Sequence, residues 1–457
     1  MSGTRIASVS GLRGIVGDGL DPAVAVEFAA AYASTCDPGP IVIAHDGRVS
    51  APVFMPAVIA GVTATGHDAL VVGPAATPTV GRLVRDQKAA GGIQISASHN
   101  PPKYNGLKFF QPEGMVLSPE RGAAVLERFA AKRFDWASWD GLGRARTLES
   151  PDEVHLSVVL KTVNVTAIRR AEFSVVLDGC HGSGGRMGAA LLRALGCKAM
   201  VIGGEPDGRY DRPPEPTEAN LKAFTAIVPA AGAAVGFAQD PDADRLAIVD
   251  ETGRYIGEEL TLALALVRRL RQTTGPVVIN LSTSKVSEEV ARQFGCPVSR
   301  TPVGEIHVVN RMRAEGAVLG GEGNGGVIDP RVGFVRDSFV AMALVLDLMA
   351  ETGERLSSLV DRLPRFTMVK ESYPLATSGE GASAVSTLWD RISAAYPDAD
   401  ADRRDGLRLE WPDRWVHVRA SNTEPIVRVI AEARDVEAAR EIARAVGRWV
   451  SAPGEGA

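Results

Sequence analysis

Residues 40–95 read PIVIAHDGRVSAPVFMPAVIAGVTATGHDALVVGPAATPTVGRLVRDQKAAGGIQI. Three apolar runs, 40–44, 69–72 and 92–95, are too short for helices and are bounded by turn residues. They read as strands. Between them, 51–64 and 79–86 carry apolar positions at helical spacing. Upstream, Asp21 and Pro22 form a cap and first turn for a helix through Ser34. Strands alternating with helices predict a largely parallel, doubly wound sheet.

The order then restarts. Residues 174–178 read as a strand, followed by the Gly-rich turn CHGSGG and a helix over 187–195. Strands are expected at 199–202, 233–237 and 246–249, with a Pro-rich loop over 206–216. A third round runs from Glu251, with helices at 258–271 and 286–294, a strand at 277–281 and a helix at 338–349. After Arg365 the pattern changes to a helix at 384–396, strands at 407–409, 415–419 and 426–431, and a helix at 436–450. The expected architecture is four domains around a central cleft. Three are similar mixed α/β sheet domains (1–145, 146–250, 251–365) and the last is α+β (366–457).

Composition narrows the class. A chain of 457 residues with 45% hydrophobic and 23% charged residues is an ordinary globular one. The formal charge of −5 argues against a dedicated nucleic-acid binder, so any anion must be held locally. The four cysteines show no CxxC or metal spacing, which fits a reducing compartment. The opening MSGTRIASVSGLRG lacks an apolar signal core. The apolar run over 339–350 is broken by Asp347 and too short for a bilayer. A cytoplasmic location without a membrane or nucleic-acid partner is expected.

Four segments carry chemistry. Ser98-His99, within SASHNPP and followed by Asn105-Gly106-Leu107-Lys108, comes after a buried strand, where α/β folds place active sites. Ser98 is a candidate nucleophile with an exposed hydroxyl, and His99 and Lys108 are titratable neighbours. The plainer reading is a polar turn. Asp240, Asp242 and Asp244, in DPDADR, set alternate carboxylates between two strands. Such a set can converge on one hard cation such as Mg²⁺, since without a cation or Arg the carboxylates repel. A calcium-sensor loop is excluded because Arg245 stands where its sixth-position Gly is required. In GGEGNGG, Glu322 and Asn324 offer hydrogen bonds to sugar hydroxyls. Arg419, Ser421, Asn422, Thr423 and Arg428 form a plausible phosphate cradle. Arg13 and Arg48, each beside Gly, are weaker candidates, and His307 lies near a Gly-containing loop. One segment falls in each expected domain.

ISASHNPPKYNGLK, DPDADR, GEGNGG and RASNTEPIVRV resemble, in that order, the phosphoserine, metal, sugar and phosphate loops of the α-D-phosphohexomutases. GLRG, HDGRVS and PEPTEANL are also similar to family patterns, and the resemblance spans nearly the whole chain. It implies interconversion of hexose 1- and 6-phosphates through a 1,6-bisphosphate, which also serves as activator. It implies one Mg²⁺ per chain on Asp240, Asp242, Asp244 and a phosphate oxygen of phospho-Ser98. Lys108 and His99 would be the acid/base groups, with Arg13 and Arg245 steadying phosphate charge. The expected partner is a small sugar phosphate, and the chain acts as a monomer or homodimer.

Pro241 stands where many members carry Gly. Asn324 replaces a Ser of the usual sugar loop, and Gly326 replaces a His. His307 lies in a segment where many members place Lys, and a sugar- or phosphate-contacting role there is expected of it. GEGNGG, VGEIHV and RASNTEP together look most like the archaeal-type phosphoglucosamine mutase branch. Phosphoglucomutase/phosphomannomutase activity is the alternative. A serine hydrolase using Ser98 and His99 lacks the GxSxG elbow. A non-catalytic sugar-phosphate sensor has no reason to keep the serine, Lys108 and all three Asp.

Overall fold

The computed structural model describes residues 6–9, 11–374, 382–420 and 426–451. Four sheets follow one another along the chain. In the first, Ile41–His45, Ala69–Pro74 and Gly91–Ile95 are parallel, and Ala145–Thr147 extends the parallel set beyond residue 145. Tyr104–Phe110 then pairs antiparallel with Gly91–Ile95, and Gly11–Val16 continues the sheet. The second sheet orders Lys198–Ile202, Ser174–Asp178 and Val235–Gln239 in parallel, closed by antiparallel Leu246–Asp250. The third repeats this with Val298–Thr301, Val277–Asn280, Leu319–Glu322 and antiparallel Gly326–Ile328. The fourth, from Thr367–Pro374 to Asp400–Asp402, is antiparallel throughout.

Three sheets therefore share one device. A parallel strand ends, a short loop turns back, and an antiparallel strand returns beside it. The loops are residues 96–103, 240–245 and 323–325. In α/β folds the ends of parallel strands are where ligands bind.

Local chemistry sets many of the elements. The helix Pro22–Ala33 starts where Asp21 accepts the Val24 N–H at 2.9 Å with Pro22 behind it, a cap worth about 1 kcal/mol. The helix Ser338–Thr352 is apolar on nearly every face because it is buried between the second and third domains. Its one interior charge, Asp347, is answered by Arg268 Nε at 2.6 Å. Among the described residues no helix is long and apolar enough to cross a membrane.

The sequence reading missed several elements. Tyr104–Phe110 is a strand rather than loop, and Pro151–Leu160, Lys222–Ala230 and Glu305–Glu315 are helices. His307 therefore sits in the first turn of a helix, not in a loop. His155, on Pro151–Leu160, is wholly buried and ties the first three domains together. Its Nδ1 lies 2.9 Å from Thr79 Oγ1 and its Nε2 lies 2.8 Å from Asp337 Oδ2. The fourth domain docks on the third through the start of the helix Lys285–Gln293. There the Lys285 N–H donates to Glu432 at 2.8 Å and Lys285 Nζ to Glu410 at 2.6 Å.

Candidate active site

A cleft of about 950 Å³ opens between the four domains. Ser98, His99, Lys108, Arg13, Arg245, Glu322, Asn324, His307, Arg419 and Arg428 all line it. Ser421, Asn422 and Thr423 lie outside the described residues.

Ser98 sits at the end of Gly91–Ile95 with φ 49°. A serine held in the left-handed region costs roughly 1–3 kcal/mol and marks a position that the surroundings impose. The residue is 2% exposed, so the expected exposed hydroxyl is instead a buried one at the cleft wall. Its Oγ donates to Asp240 Oδ2 at 3.0 Å and lies 3.4 Å from His99 Nδ1.

The three aspartates occupy a six-residue link between paired strands, closed by Gln239 opposite Leu246. Ala243 turns the chain with φ 55°, and its N–H donates to Asp240 O at 3.0 Å. The loop is clamped on both sides. Thr77 of the first domain donates its hydroxyl to Asp242 Oδ2 at 2.7 Å, and Ser338 donates to Ala243 O at 2.7 Å. The carbonyl of Pro241, its one backbone polar group, accepts the Ser183 N–H at 2.8 Å. Gly182 is required opposite it, since a Cβ there would lie 2.3 Å from Pro241 O.

All three carboxylates are fully buried and offer oxygens within 4.8 Å of one another. Lys108 Nζ donates to Asp242 Oδ2 at 2.5 Å and to Asp244 Oδ2 at 3.2 Å, and Arg336 donates to Asp244 Oδ2 at 2.6 Å. Asp242 Oδ1 and Asp244 Oδ1 are buried without a hydrogen-bond partner. Orphaned buried carboxylate oxygens are costly, and a divalent cation with oxygen ligands answers them. Burial and the charges of Asp244 and Asp242 push the Asp240 carboxyl well above its ordinary range. Burial acts the same way on Asp244, but Arg336, Lys108 and Arg245 hold it well below. The set fits a metal ion.

Around it, titration is shifted by burial and by neighbours. Burial, followed by the charges of Arg245 and Arg13, drives His99 down to about 2, so its ring stays neutral. Burial also opposes the charge on Lys108, but Asp242 and Asp244 outweigh it and its pKa is raised. Arg13, on Gly11–Val16, donates to Asn100 Oδ1 at 2.8 Å and so faces the serine loop.

The third-domain loop is built around Glu322. Its Oε1 accepts from Asn280 Nδ2 at 2.8 Å and Gly304 N–H at 3.1 Å, and its Oε2 from Arg336 Nη1 at 2.6 Å. Asn324 Oδ1 accepts the Gly326 N–H at 3.2 Å. The departure at Gly326 has a steric reason: a Cβ there would lie 2.2 Å from Arg336 Cδ. Arg336 fills that volume and bridges the acidic loop to the sugar-loop candidate.

Arg419 and Arg428 stand opposite each other on adjacent strands of the fourth sheet. Ser372 is the next partner of Arg428 across the sheet, and Lys370 lies two residues along the same face. Both line the cleft. Asp405 Oδ2 lies 3.4 Å from Arg419 Nε and also accepts the Val303 N–H at 3.0 Å.

Sequence reasoning did not single out Arg336, Glu215, Lys370 or Ser372. Glu215 lies within PEPTEANL, 3.5 Å from Arg245 Nη1 and 4.0 Å from His99 Nε2. Its motif was visible, but its direction was not. Arg336 carries no spacing signal, because its partners are 14 and 92 residues away.

Comparison with known proteins agrees with this arrangement. Models of the phosphoglucomutase/phosphomannomutase α/β/α domains I, II and III match residues 4–136, 153–253 and 257–366, and that of the C-terminal domain matches 390–448. A phosphoglucomutase/phosphomannomutase of Thermococcus kodakarensis is 36% identical over 96% of each chain. A probable phosphoglucosamine mutase of Methanopyrus kandleri is 37% identical over 95% of each. The crystal structure of a phosphoglucomutase/phosphomannomutase family protein from Burkholderia thailandensis superposes with a TM-score of 0.86 at 25% identity, covering 100% of this chain and 99% of that one. With four family domains in order and relatives matched along nearly its full length, the chain belongs to the α-D-phosphohexomutases, isomerases that transfer phosphate within a sugar phosphate.

Proposed function

We propose that the protein interconverts glucosamine 6-phosphate and glucosamine 1-phosphate in the cytoplasm through phospho-Ser98 and a 1,6-bisphosphate. The observation that carries this reading is the single cleft in which Ser98 Oγ, 3.0 Å from Asp240 of the acidic triad, faces two paired arginines of the fourth domain. The proposed domains, 1–145, 146–250, 251–365 and 366–457, contribute one loop each.

Mg²⁺ on Asp240, Asp242 and Asp244, one ion per chain, would neutralise phosphoryl charge and make the serine oxygen a better leaving group. The residues do the rest. Arg419 and Arg428, with Ser421, Asn422 and Thr423, anchor the phosphate already on the sugar. Glu322, Asn324 and His307 hold its hydroxyls. His99 accepts the proton of the attacking sugar hydroxyl as the P–O bond to that oxygen forms, the negative phosphoryl group offsetting the arginine charges that otherwise help keep its ring neutral. The P–O bond to Ser98 breaks, and Lys108 returns a proton to Oγ. Arg13 and Arg245 balance the charge of the moving phosphoryl group. The bisphosphate then turns end for end. The reverse steps place its other phosphoryl on Ser98 and restore both protons. Glucose or mannose phosphates are the alternative substrates, since a relative named phosphoglucomutase/phosphomannomutase is 36% identical.

The test is a mutase assay with Mg²⁺ and a trace of hexose 1,6-bisphosphate on glucosamine, glucose, mannose and N-acetylglucosamine phosphates. Preference for glucosamine phosphate is expected. Equal or better rates on glucose and mannose phosphates shift the assignment to the alternative, and no turnover on any sugar overturns the mutase reading. Arg419→Ala should raise the sugar-phosphate KM about 10–100-fold, the worth of one charge-assisted phosphate contact. The melting temperature should move little, and an unchanged KM removes Arg419 from the anchor.

A further inference from the structure

The motif His45-Asp46-Gly47-Arg48 takes no part in the chemistry above, yet Arg48 is 1% exposed and fully engaged. One guanidinium donates to three carbonyl oxygens of the serine loop and to that of the strand residue after it: Ser98 at 2.6 Å, Asn100 at 2.8 Å, and Pro101 and Tyr104 at 2.9 Å each. Its Nε donates to Asp46 Oδ2 at 2.9 Å. The same oxygen accepts the Ser96 hydroxyl at 2.7 Å, and Ser96 Oγ accepts the Ser98 N–H at 2.8 Å. Both backbone polar groups of Ser98 thus end on one buried ion pair. The Pro-rich loop of the second domain seals it. The Tyr210 ring centre lies 5.5 Å from the guanidinium carbon, and a Cβ on Gly47 would lie 2.8 Å from Pro206 O.

Burying an ion pair is costly unless every donor and acceptor is used. Here they are used on one loop, and on the residue of that loop whose φ is left-handed. Only a planar fork with five N–H groups can hold four carbonyls and a carboxylate together; an ammonium has three donors and no plane.

We propose that Arg48 is the positioning residue of the phosphoryl-carrying serine. Through Ser98 O directly, and through Asp46 and Ser96 to Ser98 N–H, it fixes the strained backbone so that Oγ keeps facing Asp240 while phosphoryl leaves and returns. The inference rests on Ser98 being that carrier.

The test compares wild type, Arg48→Lys and Ser96→Ala. Glucose 1,6-bisphosphate is the phosphoryl donor, Ser98 phosphorylation is followed by quenched-flow intact mass, and kcat and KM are measured in parallel. In Arg48→Lys both the phosphorylation rate and kcat should fall about 100-fold while KM stays within about threefold, as expected when a reacting atom is displaced by about an ångström and substrate contacts survive. In Ser96→Ala, which frees the Ser98 N–H and takes one donor from Asp46 Oδ2 but leaves the Arg48 contacts in place, both rates should fall about tenfold. Should Arg48→Lys not fold, Ser96→Ala decides. A wild-type phosphorylation rate in either folded variant overturns the proposal, as does a loss confined to KM. So does a lower melting temperature with normal rates per folded molecule. A wild-type protein that never takes phosphoryl on Ser98 overturns the mutase reading itself.

Discussion

Ser98→Ala leaves a folded protein without measurable mutase turnover. The substitution deletes one oxygen, which donates to Asp240 Oδ2 at 3.0 Å. Losing that hydrogen bond costs about 1 kcal/mol of stability. The backbone of residue 98 is held by the Arg48 and Ser96 contacts, which alanine retains. The loop therefore keeps its shape. Chemically the loss is total for the proposed route, because Ser98 Oγ is the oxygen that carries the phosphoryl group between the two ends of the sugar. A fall of about 10⁵-fold or more in kcat is expected for removing a covalent nucleophile. Intact mass after incubation with glucose 1,6-bisphosphate should show a phosphoryl increment on wild type and none on the variant. Normal turnover in Ser98→Ala sinks the phosphoserine route. Labelling of wild-type Ser98 by a fluorophosphonate would favour hydrolase chemistry instead.

Asp242→Asn has the second largest expected effect. Asp242 receives Thr77 Oγ1 at 2.7 Å and Lys108 Nζ at 2.5 Å on Oδ2, while its buried Oδ1 has no hydrogen-bond partner. Asparagine keeps an oxygen for Thr77 but removes one charge from the proposed metal set. Lys108 retains Asp244 at 3.2 Å, so the buried ammonium is not abandoned and the fold survives. Losing one electrostatic stabiliser of a transferring phosphoryl group costs about 10²–10³-fold in kcat. The Mg²⁺ concentration for half-maximal activity should rise as well. Titrating activity against Mg²⁺ separates the two effects, and an unchanged Mg²⁺ dependence takes Asp242 out of the metal set.

Much of the site was legible because chemistry-bearing residues were close in sequence. Asp240, Asp242 and Asp244 are spaced so that one short turn aims them together, and both flanking strands were readable. Ser98 stood after an apolar strand, where ligands are expected. The strand over 104–110 was missed because YNGLKFF has two turn-forming residues at its start and no clean alternation. That strand nevertheless places Lys108 over the acidic triad rather than in a loop. The helix Glu305–Glu315 was hidden behind Gly304, and with it the true setting of His307.

The alternation of strands with helices that sets the fold class, the change of pattern near Arg365, the four polar loops and the family they resemble were determined by the sequence alone. Local propensity and spacing act over a few residues, and those features live on that scale. Tertiary structure alone decided the contacts that turn the loops into one site. Arg336 reaches from beside a buried helix to Asp244 and Glu322. Glu215 leaves a Pro-rich loop to meet Arg245 and His99. Arg48 passes over by weak sequence signal and grips four carbonyls 50 to 56 residues away. An arginine or glutamate looks the same in sequence whether it faces solvent or a ligand. Only burial, which removes water as its partner, makes it find a particular carboxylate or carbonyl, and burial is a property of the packed domains.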